Sequence, residues 1–148
     1  VSTVWRTRGP AITLWMDDPE QALRWAGNDT LVFYSEDDNW GRLYALPAAG
    51  GAPRALTPTG CMVAHSEGAG ERLFVIHNCR DRDGRQMSLI DVATGTEQAL
   101  ASDDRVLSGA AAGDRYVAFT GARADQAAML RIVDLASIPP STIESMLY

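Results

Sequence analysis

Residues 31–58 read LVFYSEDDNWGRLYALPAAGGAPRALTP, and this stretch decides the fold. Leu31, Val32, Phe33 and Tyr34 form a β-branched and aromatic run that stops at the turn formers Ser35, Glu36, Asp37, Asp38 and Asn39, as a buried strand does where it leaves a sheet. Trp40 to Pro47 alternates large and small residues, Ala48 to Gly51 supplies a turn, and Pro53 to Thr57 offers a third short extended run. The unit is strand, polar hairpin, strand, glycine hairpin, strand, and no part of it shows helical spacing.

The unit comes twice more. Leu73 to Ile76, the polar Asn78 to Arg85, Met87 to Val92, the turn at Thr94 and Gly95, and Glu97 to Leu100 repeat the order. So do Tyr116 to Phe119, Gly121 to Gln126 and Met129 to Leu135. Leu31, Leu73 and Tyr116 are separated by 42 and 43 residues, and Leu46, Asp91 and Asp134 by 45 and 43. Short strands repeating at about 40 to 50 residues are the signature of propeller blades. The expected fold is therefore all-β, part of a β-propeller built of four-stranded antiparallel blades, with about three blades present. A blade cannot bury both its faces alone, so it is stable only between neighbours around an axis.

The expected division is the end of a preceding blade in residues 1–20, blades in 21–60, 61–103 and 104–137, and a linker or the start of a further element in 138–148. Gln21 to Ala26, ahead of the turn Gly27, Asn28 and Asp29, reads as the inner strand of the first complete blade, with a short helix from Pro19 to Trp25 as the competing reading. Ile138, Pro139 and Pro140 break the pattern, and Ser141 with Glu144 three residues on would also suit a helix cap. About four blades are the fewest that close a ring. The 148 residues are thus expected to belong to a longer polypeptide, or to be completed by other chains.

Charge narrows the partners. The chain carries 13 Lys and Arg against 19 Asp and Glu, a net charge of -6, and the basic residues are scattered, which argues against nucleic acid as a ligand. No apolar run reaches the 18 or more residues of a membrane span. No G-x-S-x-G elbow, phosphate loop or cofactor motif is present, so no catalytic, cofactor or metal residue is expected in this stretch. Ser66 lies beside His65 and Glu67, but neighbours in a strand point to opposite faces.

Cys61, His65, His77 and Cys79 form the one constellation worth weighing. A hairpin turning near Gly70 sets Cys61 opposite Cys79 and His65 opposite Val75, with all four named residues on one face. Two thiolates and two imidazoles suit zinc, although the close C-x2-4-C spacing of structural zinc is missing. Two unpaired core thiols are the plain alternative. The reading adopted is a Cys61–Cys79 disulfide within one hairpin, because these are the only two cysteines and the turn signal Glu67 to Gly70 lies midway between them. A disulfide persists in an oxidising compartment, so a periplasmic or secreted location is expected with it.

Gln21 to Trp25, Asp29 to Phe33, Ser35 to Asp37 before Trp40, Leu43 and Tyr44, Ala49 to Ala52 and Leu56 to Pro58 together resemble the propeller domain of the prolyl oligopeptidase family of serine peptidases, in particular its dipeptidyl-peptidase-like branch. That family commonly shows LVF-SE-DGW-HLY-GG-LTP here. Asn39 stands where its glycine usually lies, and Arg42 where a histidine is frequent. Asp81, Asp83 and Arg85 look like the family's D-D-R turn in the next blade. The resemblance implies a propeller that covers an α/β-hydrolase domain supplied by the rest of the polypeptide or another chain, and that admits short or flexible peptides to a serine located there. None of the Ser, Asp or His can be carried onto this sequence. Some members of the family are isopeptidases that open lasso peptides, so that specialisation stays open beside a dipeptidyl peptidase. A non-catalytic propeller acting as a protein-binding platform is the alternative, since fold alone does not fix activity.

Overall fold

The computed structural model describes residues 3–6, 23–101, 106–123, 125–137 and 141–146. Among them there is no helix, and hence none long and apolar enough to cross a membrane. The strands form three separate four-stranded antiparallel sheets, each meandering in chain order. The first blade is β1 (Leu23–Ala26), β2 (Thr30–Ser35), β3 (Arg42–Pro47) and β4 (Arg54–Ala55). The second is β5 (Val63–Ala69), β6 (Arg72–His77), β7 (Gln86–Asp91) and β8 (Glu97–Ala101). The third is β9 (Val106–Ala112), β10 (Tyr116–Arg123), β11 (Gln126–Asp134) and β12 (Ser141–Met146). The first strands of successive blades touch, β1 to β5 and β5 to β9, as inner strands do around a common axis. The protein is a three-blade part of a β-propeller.

Register shows how closely the blades repeat. Thr30 pairs with Pro47, Arg72 with Asp91 and Tyr116 with Asp134, and one residue outside each pair the same backbone bond recurs. It runs from Ala48 N–H to Asp29 O at 2.7 Å, from Val92 N–H to Glu71 O at 2.8 Å and from Leu135 N–H to Arg115 O at 2.8 Å. Leu31 and Leu73 are equivalent, as their sequence spacing indicates, but the matching residue of the third blade is Val117. Tyr116 falls one place early, and Asp91 and Asp134 match Pro47 rather than Leu46. The slip arises because hydrophobic runs mark a strand, while only the closing hydrogen bonds mark its register.

Two apolar layers hold the blades together. Val32, Tyr34, Leu43 and Ala45 of the first blade pack on Val63, Leu73, Val75 and Ile90 of the second. The opposite face of the second blade, with Phe74, Ile76 and Met87, packs on Leu107, Val117, Phe119 and Val133 of the third. Leu73 to Ile76 is therefore an unbroken apolar run because both of its faces are covered, and Tyr116 to Thr120 alternates because only Val117 and Phe119 face the second blade.

Polar bonds stitch the same seams. Arg24 donates to Ser66 O at 2.7 Å and Arg54 to the carbonyls of Val92 and Ala93, all from first blade to second. Arg72 donates to Asp114 O at 3.2 Å and Arg85 to Leu107 O at 3.3 Å, both from second to third. Guanidinium groups suit this task because their donors fan out to carbonyls that a neighbouring sheet cannot satisfy.

Two expectations about the ends change. Ser141 to Met146 is neither a linker, the start of a further element nor a helix: it is the fourth strand of the third blade, with Met146 opposite Met129 and Ser141 opposite Asp134. The third blade thus extends past 137. Residues 138–140, where Pro139 and Pro140 fall, lie outside the described residues. At the other end, residues 3–6 are not a strand; Trp5 lies against Phe33 with ring centroids 4.7 Å apart. Residues 7–22 and the joint at 102–105 lie outside the described residues. Leu23 to Ala26 are a strand, not the end of a helix.

Candidate functional site

Cys61 and Cys79 are joined by a disulfide with a Cα separation of 4.7 Å. The bridge sits just beyond the ends of β5 and β6, where Met62 N–H donates to Asn78 Oδ1 at 2.7 Å and Asn78 N–H to Met62 O at 3.2 Å. It clamps the connection from the first blade to the hairpin between β6 and β7.

The register around it differs from a simple hairpin. Ala69 pairs with Arg72 and Ser66 with Val75, so the turn is centred between Gly70 and Glu71. A bulge at Ala64 then shifts the pairing back by one, so that Val63 pairs with His77. Cys61 and Cys79 end up opposed as expected, but His65 lies opposite Ile76, not Val75, and on the other face from the disulfide and His77. The four residues therefore do not converge, the two sulfurs are spent on each other, and the zinc arrangement is excluded for this quartet. A bulge leaves no clear signal in composition, so sequence spacing alone misses it.

Each histidine has its own work. His65 Nε2 accepts the Ala110 N–H at 3.2 Å, linking β5 to β9. His77, 2% exposed, accepts the Cys79 N–H at Nδ1 (3.1 Å) and lies 2.8 Å from Ser88 Oγ through Nε2. Ser88 donates to Glu97 Oε1 at 2.6 Å, and Arg80 donates to that same oxygen at 3.0 Å. Burial lowers the affinity of His77 for a proton; Glu97 opposes this and Arg80 reinforces it.

Serine, histidine and glutamate in contact invite comparison with a catalytic triad, but the protons run the wrong way. Since Nδ1 accepts from a backbone N–H, neutral His77 carries its proton on Nε2 and donates it to Ser88. The serine hydrogen points at Glu97. The histidine is therefore not the base for this serine, the Glu97 oxygen that holds the serine hydrogen is itself held by Arg80, and Ser88 is 0% exposed, so the set is not built as a nucleophile with its base. It is a buried polar brace across β6, β7 and β8. The sequence reading did not find it because its members come together only through two successive strand pairings. Ser66, adjacent to His65 in sequence, accepts from Arg24 across the blade seam at 3.1 Å.

Trp40 follows the acidic hairpin and is half-buried rather than fully enclosed; its backbone N–H donates to Asp38 Oδ1 at 3.3 Å. Asp38 also pairs with Arg42, which donates through Nε to Thr57 O at 3.0 Å and lies over the Tyr44 ring. Tyr34 donates to Glu36 at 3.0 Å, and burial together with that carboxylate pushes the phenol's pKa far above its ordinary range. These bonds hold the hairpin as a rigid rim at the same end of the blades as the disulfide. Among the described residues no group of His, Cys, Asp and Glu is arranged to hold a metal.

Solved structures supply the context. A puromycin-hydrolyzing peptidase of Mycobacterium tuberculosis superposes on 86% of this chain with a TM-score of 0.66 at 20% identity, and a puromycin hydrolase on 85% with a TM-score of 0.66 at 14% identity. A prolyl endopeptidase structure superposes on 80% with a TM-score of 0.55 at 14% identity. The chain shares its fold with peptidases of the prolyl oligopeptidase family. It spans about a fifth of those structures' length, 20%, 20% and 18% respectively. No family model and no curated protein sequence matches it.

Proposed function

We propose that the chain is the substrate-gating propeller portion of a serine peptidase of the prolyl oligopeptidase family, which hydrolyses short or flexible peptides in the periplasm or outside the cell. The observation that carries this reading is the superposition of 86% of the chain, at a TM-score of 0.66, on a fifth of a puromycin-hydrolyzing peptidase. In this reading the nucleophilic serine and its base belong to an α/β-hydrolase domain in the rest of the polypeptide, and the acyl-enzyme forms there. The blades exclude folded proteins by size. The Cys61–Cys79 bridge supports an oxidising compartment, where such bonds persist. Removal of dipeptides and opening of a lasso peptide's isopeptide bond are the two specialisations this reading accommodates.

The test uses the full-length protein with a short chromogenic peptide and the same sequence embedded in a folded domain. Cleavage of the free peptide alone, abolished by a fluorophosphonate, is the expected result. Absence of both turnover and fluorophosphonate labelling would overturn it in favour of a non-catalytic binding platform.

A further inference from the structure

We propose that the end of the blades carrying the Cys61–Cys79 disulfide is the face on which the α/β-hydrolase domain seats, through the hairpin 36–41, the connection 56–62 and the hairpin 78–85. The inference rests on the peptidase reading and adds to it which end of the blades meets the catalytic domain, and through which residues.

Strand number decides the end. Each blade is four consecutive antiparallel strands, so its first strand starts, and its fourth strand finishes, at the same end. That end is the one where β4 leads through 56–62 into β5, beside the disulfide. A segment of polypeptide that is not itself a blade therefore joins blades of this kind at the disulfide end. A domain tethered there meets the adjoining surface at a high effective concentration. The turns 27–29, 70–71 and 113–115 lie at the opposite end.

Loop length and rigidity agree with that placement. In the first two blades the hairpins at the disulfide end span 36–41 and 78–85, while 27–29 and 70–71 suffice to join the first two strands at the other. Longer loops on a fixed scaffold are where binding surfaces are built. Here they are tied together along the rim. Val63 N–H donates to Gly41 O at 2.8 Å, Arg42 donates to Thr57 O at 3.0 Å, the disulfide joins the connection to the second hairpin, and Arg85 donates to Leu107 O at 3.3 Å. This succession runs from the first blade to the third, so the face gives up little conformational freedom when a partner settles on it.

The surface suits a domain of the same chain. Met62, 43% exposed, lies in the connection between two blades. The rim about it exposes Thr59 on the connection and Asp81, Arg82 and Asp83 on the hairpin. An apolar point among polar groups of both signs is the composition of contacts between domains of one polypeptide, which are more polar than those between obligate subunits.

The absence of lysine supplies the test, since all 13 basic residues of the chain are arginine. In the full-length protein, Thr59→Lys and Arg82→Lys each place a single amine on the rim, and Ala49→Lys and Ala93→Lys each place one at the opposite end; all four positions are exposed. Each variant is treated with an amine-reactive diazirine, irradiated, digested and read by mass spectrometry, and a fluorophosphonate marks the serine of the hydrolase domain in the same protein. Cross-links from 59 and 82 to the domain bearing the marked serine, with none from 49 or 93, are the expected result. The two rim positions report independently, so a variant that fails to fold leaves the other to decide. A marked serine whose domain is not reached from 59 or 82, or is reached from 49 or 93 instead, overturns this inference and leaves the peptidase reading standing. A protein with no marked serine overturns both.

Discussion

At Gly41 the backbone passes so close to Tyr34 that an added Cβ would lie 1.9 Å from the phenol oxygen. The phenol cannot step aside without giving up Glu36. Gly41→Ala should therefore cost about 1 to 3 kcal/mol, as overpacking does, read as a lower urea midpoint with an unchanged m-value. Two residues earlier Asn39 has a φ of 66°, a left-handed conformation that costs most L-residues about 1 to 2 kcal/mol and that glycine and asparagine tolerate best. This gives a physical reason for asparagine at the place where the family pattern carries glycine. Asn39→Ala should lose about 1 kcal/mol and Asn39→Gly almost none. Trp40→Ala should cost less than the 3 to 5 kcal/mol expected of a fully enclosed aromatic ring, because the side chain is only half-buried. Thermal melts of the three variants rank these effects. The turn chemistry was legible in the sequence; the approach of Gly41 to Tyr34 was not, because it depends on the pairing of Tyr34 with Leu43 across the hairpin.

Among the elements, the disulfide hairpin shows what spacing can and cannot tell. A turn placed half a residue too early and an unseen bulge at Ala64 cancel, so the Cys61–Cys79 pairing follows from the sequence while the position of His65 does not. The bridge spans 18 residues. Closing such a loop stabilises by about 3 kcal/mol in the chain-entropy model. Cys61→Ser with Cys79→Ser should lower stability by about that amount, and the unaltered protein alkylated before reduction should show no free thiol by mass. The brace of His77, Ser88 and Glu97 makes the same element sensitive to pH. Burial holds the proton affinity of His77 below its ordinary pKa of 6.5, so the unfolded chain takes up the proton first as pH falls. The stabilisation is whole above about pH 6.5 and is lost progressively below it, until the folded form is protonated too. Denaturant midpoints between pH 7.5 and 5.5 should fall more steeply for the unaltered protein than for His77→Asn; parallel slopes would rule the coupling out.

Over the whole molecule, the repeated order of strand and turn was enough to read three blades, because each blade writes its own hydrophobic pattern. The fourth strand of the third blade, Ser141–Met146, was not legible because Pro139 and Pro140 just ahead of it read in composition as a stop, whereas its pairing with β11 is set by register. The outer faces of the three-blade stack carry a last consequence. The first blade turns Leu23 and Trp25, each 57% exposed, away from the second, in the rows of Phe33 with Tyr44 and of Leu31 with Leu46. The third turns away Tyr116, 44% exposed, together with the half-buried Ala118, Leu130 and Ile132. Blades are sandwiched on both faces in a ring, and the second blade shows what that does to a strand, burying all of Leu73 to Ile76. The 148-residue chain by itself should therefore associate through these faces, since apolar surface of this kind is removed from water by whatever sheet is available. Sedimentation velocity should show a mass that rises with concentration. Leu23→Lys with Trp25→Lys should return it towards the monomer by placing two charges in the first of the two faces. A chain that stays monomeric across the accessible concentration range, with Trp25 open to a collisional quencher, would show that these faces are tolerated in water and that ring closure is not what their composition serves.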